Sequence, residues 1–293
     1  MIDLHCHMLP GIDDGAHDLS VSIEMARAFM ADGVSVVACT PHILPGLYHN
    51  SGAQIRQATA QLQQALNREG ISLQLVAGAD NHIVPDFVAQ LRSGHLLPLA
   101  NTRYVLVEPP HHVAPPRLEA LFFNIVAAAY VPILTHPERL TWIGSHYDVV
   151  PRLIRTGVWM QITAGSLAGA FGRNARYWAE RMLDEGYVHL LATDAHDVSK
   201  RPPNLSQGRD LAAKRVGDIE AHHLVVTRPR GVLLNDVPSN LPRPESASAS
   251  SGMVHAGADG LMESGDVAYQ ERFRTDRGAA YGNLVGRLRR LFE

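Results

Sequence analysis

The sequence predicts an α/β fold in which seven strand–helix repeats close into a distorted parallel barrel, followed by a flexible C-terminal tail. Three observations carry this expectation. Short β-rich runs alternate with amphipathic stretches over residues 1–240. The runs are nearly continuous in apolar character, as parallel strands covered on both faces by helices must be. Glycines close one helical stretch after another.

Taken in order, residues 2–7, 34–40, 73–79, 104–107, 132–135, 158–163 and 189–193 have the β-branched, apolar character of strands. Between them, residues 20–31, 53–69, 116–129, 147–156 and 175–185 have helical periodicity, several of them stopped by Gly33, Gly70, Gly157 and Gly186. The structural rival is an open, doubly wound sheet, but no Gly-x-Gly-x-x-Gly follows the first strand, so a dinucleotide fold has no support. After residue 240 the composition turns to Pro, Ser, Ala, Gly and mixed charge, which buries little apolar surface. Residues 241–277 are expected to form a flexible linker. Leu284, Val285, Leu288, Leu291 and Phe292, with Arg287, Arg289 and Arg290, are spaced as a short basic amphipathic helix that is frayed or docks on its own chain. The expected division is therefore a barrel over 1–240 and a disordered tail over 241–293.

Composition narrows the function. The chain has 293 residues, 46% hydrophobic and 19% charged, which is ample for a large core. Lys and Arg number 26 against 29 Asp and Glu, dispersed and giving a net charge of −3, so no basic block is present to track a nucleic-acid backbone. Cys6 and Cys39 are too few for a disulfide framework, and each lies in an apolar run as a buried thiol would. No charged-then-apolar leader opens the sequence, and no apolar run reaches the roughly 18 residues a membrane span needs, so the cytoplasm is the expected compartment. Histidine is the outlier, with 16 copies.

The placement of these histidines points to chemistry. His5 and His7 close the first strand, and a spacing of two aims both imidazoles to one side, with Cys6 on the other. Later strands end at His42, Asp80, Glu108, His136, and Asp194 with His196. In a βα barrel the carboxyl ends of the strands meet at one rim, so residues far apart in sequence converge. A lone histidine after a strand is usually a surface residue, but recurrence after six of seven strands is not. Imidazole with carboxylate suits Zn, Mn or Fe, and eight or so donors exceed the needs of one ion, implying two or three. Asp13-Asp14-Gly15 follows the first strand and has the composition of an ordinary turn.

These residues, in this order, resemble the PHP superfamily and within it the CpsB/CapC type of bacterial tyrosine-protein phosphatase. The resemblance lies in Met1-Ile2-Asp3-Leu4-His5-Cys6-His7 with Asp13-Asp14-Gly15, Thr40-Pro41-His42, His136-Pro137-Glu138-Arg139, and Asp194-Ala195-His196 with Arg201-Pro202-Pro203. It spans residues 1–237, including the segment from Arg228 to Asn235, which resembles the family's last helix, and leaves the tail outside. It implies a PHP-type barrel with a trinuclear site, usually of manganese, with Fe or Zn as alternatives. His5, His7 and Asp194 would hold one ion, Glu108 and His136 a second, and Asp14, His42 and His196 a third, with residue 80 bridging. The family generally has Glu where this chain has Asp80, a carboxylate one methylene shorter.

The resemblance further implies hydrolysis of phosphotyrosine in a protein, a membrane-associated tyrosine autokinase that governs capsular or exopolysaccharide synthesis, and a homo-oligomer. Arg139 and Arg201 would grip phosphate oxygens, since guanidinium is a planar fork matched to phosphate. His42 is placed with these two as a catalytic residue as well as among the ligands. Neither cysteine is followed six residues later by Arg, so a Cys-x5-Arg phosphate loop is absent. Two rival readings stand beside this one. The first is a PHP phosphoesterase acting on a small molecule such as histidinol phosphate. The second is a non-catalytic barrel serving as a scaffold. His82 and His111 lie nearest the expected rim and are placed as lining the substrate pocket.

Overall fold

A computed structural model describes residues 1–247. The strands and helices follow in the order β1 Ile2–Cys6, α1 Leu19–Ala31, β2 Val36–Cys39, β3 His42–Ile43, α2 Gly52–Arg68, β4 Gln74–Ala77, β5 Asp80–His82, α3 Phe87–Ser93, β6 Tyr104–Glu108 and α4 Leu118–Ala127. They continue with β7 Val131–Thr135, α5 Val149–Arg155, β8 Trp159–Thr163, α6 Ala164–Leu167, α7 Gly172–Asp184, β9 Leu190–Ala192, α8 Leu205–His222 and α9 Arg228–Leu234. The expected basic amphipathic helix at 284–292 lies outside the described residues.

All strand pairs are parallel, but they form two sheets, β1-β2-β4 and β3-β5-β6-β7-β8-β9, instead of the single closed sheet of seven that the sequence predicts. The difference arises because two expected strands are each interrupted. Between β2 and β3, Pro41 has no N–H to give to a ladder. Between β4 and β5, Gly78 packs so closely that a Cβ there would lie 2.8 Å from Leu99. Hydrogen bonds nevertheless run across the junctions. Gly78 N donates to Cys39 O (2.9 Å) and Thr40 N to Cys6 O (2.8 Å). At the far side Asp194 N donates to His5 O and His7 N to Ala195 O, both at 2.9 Å.

The pleat divides the apolar residues of β6 between two clusters. Tyr104 and Leu106 join Ile2, Leu4, Val36, Ile133 and Trp159 in one, while Val105 and Val107 join the larger cluster that includes Phe29, Leu62, Phe122 and Met182. Burying each large side chain contributes about 1.5–3 kcal/mol. Glu108 shares a face with Tyr104 and Leu106 and so stands at the carboxyl end of the smaller cluster. The other end is covered by α9, whose Val232 and Leu233 belong to that cluster, while Tyr104 Oη donates to Asp236 O (2.8 Å). Packing continues past residue 240, since Leu241 lies against this cluster and Pro242 O accepts from Arg228 Nε (2.8 Å).

The helix-stopping glycines take left-handed backbone, with φ of 80° at Gly33, 68° at Gly70, 91° at Gly157 and 71° at Gly186. The helix α8 was not anticipated from the sequence, because Gly208 and Gly217 interrupt its pattern. Gly208 is required there by a close approach, since a Cβ would lie 2.5 Å from that of Ala164.

Candidate metal centre

The residues that the sequence singles out come together where the strands end. Four of their side chains, His7, Asp14, His42 and His196, offer donor atoms within 4.8 Å of one another. The same separation holds for His5, His7 and Asp80, and for His5, His136 and Asp194. Glu108 groups with His111 and His136 on one side and with His42 and His82 on the other. All nine expected ligands are thus in one continuous cluster, with two further histidines. Asp80 lies at its centre: Oδ2 is 3.5 Å from His5 Nε2, 3.6 Å from His42 Nδ1 and 3.8 Å from His136 Nε2.

The loop after β1 sets the first two imidazoles. His7 Nδ1 is 2.7 Å from Asp13 Oδ2, which also accepts from His42 N (3.1 Å), while Asp13 Oδ1 accepts from Gly15 N (3.0 Å). His5 Nδ1 is 2.8 Å from Gln161 Oε1 on β8, the one strand for which the sequence offered no donor. With their Nδ1 atoms so occupied, His5 and His7 turn their Nε2 atoms inward, 3.4 and 3.2 Å from Asp194 Oδ1. Such outer partners fix the tautomer and orientation of metal-binding imidazoles. Asp3 accepts from His5 N (3.0 Å) and from Thr193 N and Oγ1 (3.1 and 2.5 Å), tying β1 to the chain beyond β9.

Two donor residues sit in strained backbone. His136 has φ 34° and Asp194 φ 52°, values seldom adopted without glycine and concentrated at functional positions. Glu138, within the His136-Pro137-Glu138-Arg139 stretch, is buried and accepts from Thr163 N (2.9 Å) and Ser166 Oγ (2.7 Å), which braces that turn. Arg139 and Arg201 both contact Asp194 Oδ2, and Arg201 Nη1 is 2.9 Å from His196 Nε2. Phe171 underlies the pair, its ring centroid 4.3 Å from the Arg139 guanidinium carbon and 5.7 Å from that of Arg201.

The electrostatics call for a cation. Asp80 is fully buried, and neither of its carboxylate oxygens has a hydrogen-bond partner. An isolated buried carboxylate is costly, and burial followed by repulsion from Glu108 pushes Asp80 well above its usual range. Burial would raise Glu108 too, but hydrogen bonds from His111, His42 and His82 hold it well below. Burial lowers His5 to about 4 despite the nearby Asp194, leaving a neutral imidazole with a lone pair to give. Carboxylate oxygens and imidazole nitrogens gathered this closely fit divalent cations such as Mn, Fe or Zn.

Sequence reasoning left Asp13, Gln161 and Asp3 unassigned, although an acid beside an His-x-His pair is a recognisable signal for a ring-orienting partner. His82 was placed only near the pocket because Asp80 was read as the end of its strand. The structure instead continues β5 to His82 and pairs that residue with Glu108.

Parallel strands wound with helices and ending in imidazoles and carboxylates define an α/β protein with several adjoining candidate metal-binding clusters. The chain belongs to the family described as capsular polysaccharide synthesis, CpsB/CapC, whose model matches residues 1–234. It is 39% identical over 217 residues to the tyrosine-protein phosphatase YwqE of Bacillus subtilis, covering 74% of this chain and 85% of that protein. It is 25% identical over 242 residues to the tyrosine-protein phosphatase CpsB of Streptococcus pneumoniae, covering 81% of this chain and all of that one. Among solved structures, one from work on YwqE and CpsB, described as unique metal-dependent tyrosine phosphatases, superposes with a TM-score of 0.79 at 34% identity, covering 84% of this chain and 99% of the other.

Proposed function

We propose that this protein is a metal-dependent tyrosine-protein phosphatase of capsule or exopolysaccharide synthesis, acting on a tyrosine autokinase at the membrane. The observation that carries the reading is the cluster of nine donors gathered from six strand ends, with the unpartnered oxygens of Asp80 inside it and two arginines at its mouth. The distorted seven-stranded barrel is retained as part of the proposal. Counting β2 with β3 and β4 with β5 as interrupted strands gives seven, and the hydrogen bonds from β1 to Asp194 and Ala195 support closure.

Three ions, of manganese by resemblance, would be held by His5, His7 and Asp194; by Glu108 and His136; and by Asp14, His42 and His196, with Asp80 between them. Bound divalent cations supply acidity to a coordinated water and neutralise phosphate oxygens. Asp13 and Gln161 keep the Nε2 atoms of His7 and His5 aimed inward throughout. Arg139 and Arg201 exchange their hold on Asp194 for the oxygens of the arriving phosphate, and Phe171 keeps the two guanidinium planes in place beneath it. The phenol of tyrosine has a pKa of about 10, so its anion leaves without strong acid assistance.

A cysteine mechanism is disfavoured by burial, which pushes both thiols up: Cys6 and Cys39 are completely buried and offer no thiolate. Two free, buried cysteines accord with a reducing compartment, and the cytoplasm is the proposed one. Among the described residues no helix is long and apolar enough to cross a membrane.

The test is turnover of a tyrosine-phosphorylated peptide after chelation and again after return of Mn, with His136→Ala as control. Turnover restored by Mn in the parent and missing in the variant is the expected result. Cleavage of small phosphomonoesters but not of the peptide would replace this reading with the small-molecule one, and no cleavage of either would leave a scaffold.

A further inference from the structure

Four imidazoles converge on the single carboxylate of Glu108. It is 3% exposed, and each of its oxygens faces two histidines. Oε1 is 3.1 Å from His111 Nε2 and 3.5 Å from His136 Nε2; Oε2 is 3.3 Å from His42 Nδ1 and in close contact with His82 Nε2. Two groups of donors meet at this carboxylate, His42 with His82 and His111 with His136, and each has the mixed nitrogen and oxygen composition of a cation site. The stable common partner for such a set is a cation.

The fold places His82 there by construction. Asp80 and His82 lie two apart on β5 and share a face, and the ladder pairs His82 directly with Glu108. His111 arrives from the other side on the turn after β6, anchored through its carbonyl, which accepts from Thr141 N and Oγ1, both at 3.0 Å. Its ring is free to face Glu108 while its backbone is fixed. Both rings are more open to solvent than the inner donors, at 15% for His82 and 29% for His111.

We infer that His82 and His111 are metal ligands, one on each oxygen of Glu108, so that this carboxylate bridges two cation positions at the outer edge of the centre. The inference rests on the metal reading given above, and the ligand class is a divalent cation that accepts mixed nitrogen and oxygen donors, such as Mn or Zn. In the rival arrangement both rings are protonated and merely pair with Glu108. The two arrangements differ in sign. Removing a ligand weakens cation binding, whereas removing a positive charge beside a cation position strengthens it or leaves it unchanged.

The experiment is calorimetric titration of the metal-free full chain with Mn, and elemental analysis of the loaded protein, for the parent, His82→Ala and His111→Ala. His82→Gln, which keeps the side-chain bulk, and melting of each metal-free variant establish that the fold is retained. Both alanine variants are expected to lose one class of Mn sites or to bind it at least tenfold more weakly. Unchanged or tighter binding in variants that fold, with the parent fully loaded, would overturn this inference alone. A parent that takes up neither Mn nor Zn would overturn the metal reading as well.

Discussion

Gly15→Ala tests how the loop after β1 holds the centre. A Cβ at position 15 would stand 1.9 Å from His7 O, 2.5 Å from His7 Cβ and 2.7 Å from His7 C, where ordinary contacts begin near 3.4 Å. The obstacle is largely backbone, so no rotamer relieves it, and the loop must withdraw by an ångström or more. That displacement breaks the hydrogen bond from Ala16 N to His7 O (3.0 Å) and the one from Gly15 N to Asp13 (3.0 Å), and pulls Asp13 away from His7 Nδ1 (2.7 Å). One neutral hydrogen bond at about 1 kcal/mol and two to the Asp13 carboxylate at about 1.5–3 kcal/mol each give a loss of about 4–7 kcal/mol. For a chain of this size each kcal/mol moves the melting temperature by about 2–4 °C, so the metal-free variant should melt roughly 8–28 °C lower. Calorimetric melting, followed by Mn titration of the folded variant, is the assay. Melting within about 2 °C of the parent, with unchanged Mn affinity, would show that the loop moves freely and that Asp13 does not orient His7.

Asp80→Asn should raise the melting temperature of the chelated protein while lowering the number of Mn bound, because it removes a buried, unpartnered charge worth about 1–3 kcal/mol; a chelated variant that melts below the parent refutes this. Lysine in place of Arg139 or Arg201 retains the charge but not the fork, so kcat/KM on a phosphotyrosine peptide should fall about 10- to 100-fold, or roughly 1.4–2.8 kcal/mol, with Mn content unchanged. His189 is pushed down to about 3 by burial and then by the charge of Arg228, against an ordinary value of 6.5, so between pH 6 and 4.5 the unfolded chain takes up a proton that the folded chain refuses. Stability of the chelated protein should therefore fall with falling pH, this residue contributing up to about 1.4 kcal/mol per pH unit; urea unfolding of His189→Gln with the same slope as the parent would contradict that assignment.

The legible parts of the sequence were those in which each residue acts locally. Continuous apolar runs located β1, β6, β7, β8 and β9 to within about two residues, and glycines located the ends of four helices. Donors at strand ends were legible because a parallel α/β topology sends all those ends the same way, whatever the closure of the sheet. What escaped depended on contacts across the chain. The breaks at Pro41 and Gly78 are forced by pairing and by Leu99, neither of which shows in hydropathy. Gln161 looks like one polar residue in an apolar strand until β8 and β1 are set on either side of β9, and only then does it face His5. Asp13 and Asp14 are adjacent and chemically identical, yet one holds a ring from behind and the other faces the shared donor cluster. The difference lies in the turn geometry, to which Gly15 contributes its missing side chain.

The arrangement also explains why the centre is built at interrupted strands. An uninterrupted β2 or β4 would have carried its ladder past residues 40 and 78, with alternate side chains pointing away from the centre. The breaks let His42, Asp80 and His82 restart in short strands whose register is set by β6, and through it by Glu108. Positive φ at His136 and Asp194 does the same at the other side of the cluster, turning each donor at the point where its strand ends. Each device costs folding free energy in the metal-free chain: lost ladder hydrogen bonds, left-handed backbone, and an Asp80 carboxylate with no partner. A fold that concentrates these costs at one place, and covers the opposite end of the strands with α9, is one whose stability depends on what binds there. A cation binding the folded chain and not the unfolded one returns RT ln(1 + [L]/Kd), about 2.7 kcal/mol at a hundredfold excess over Kd, the same order as the burial cost of Asp80 alone.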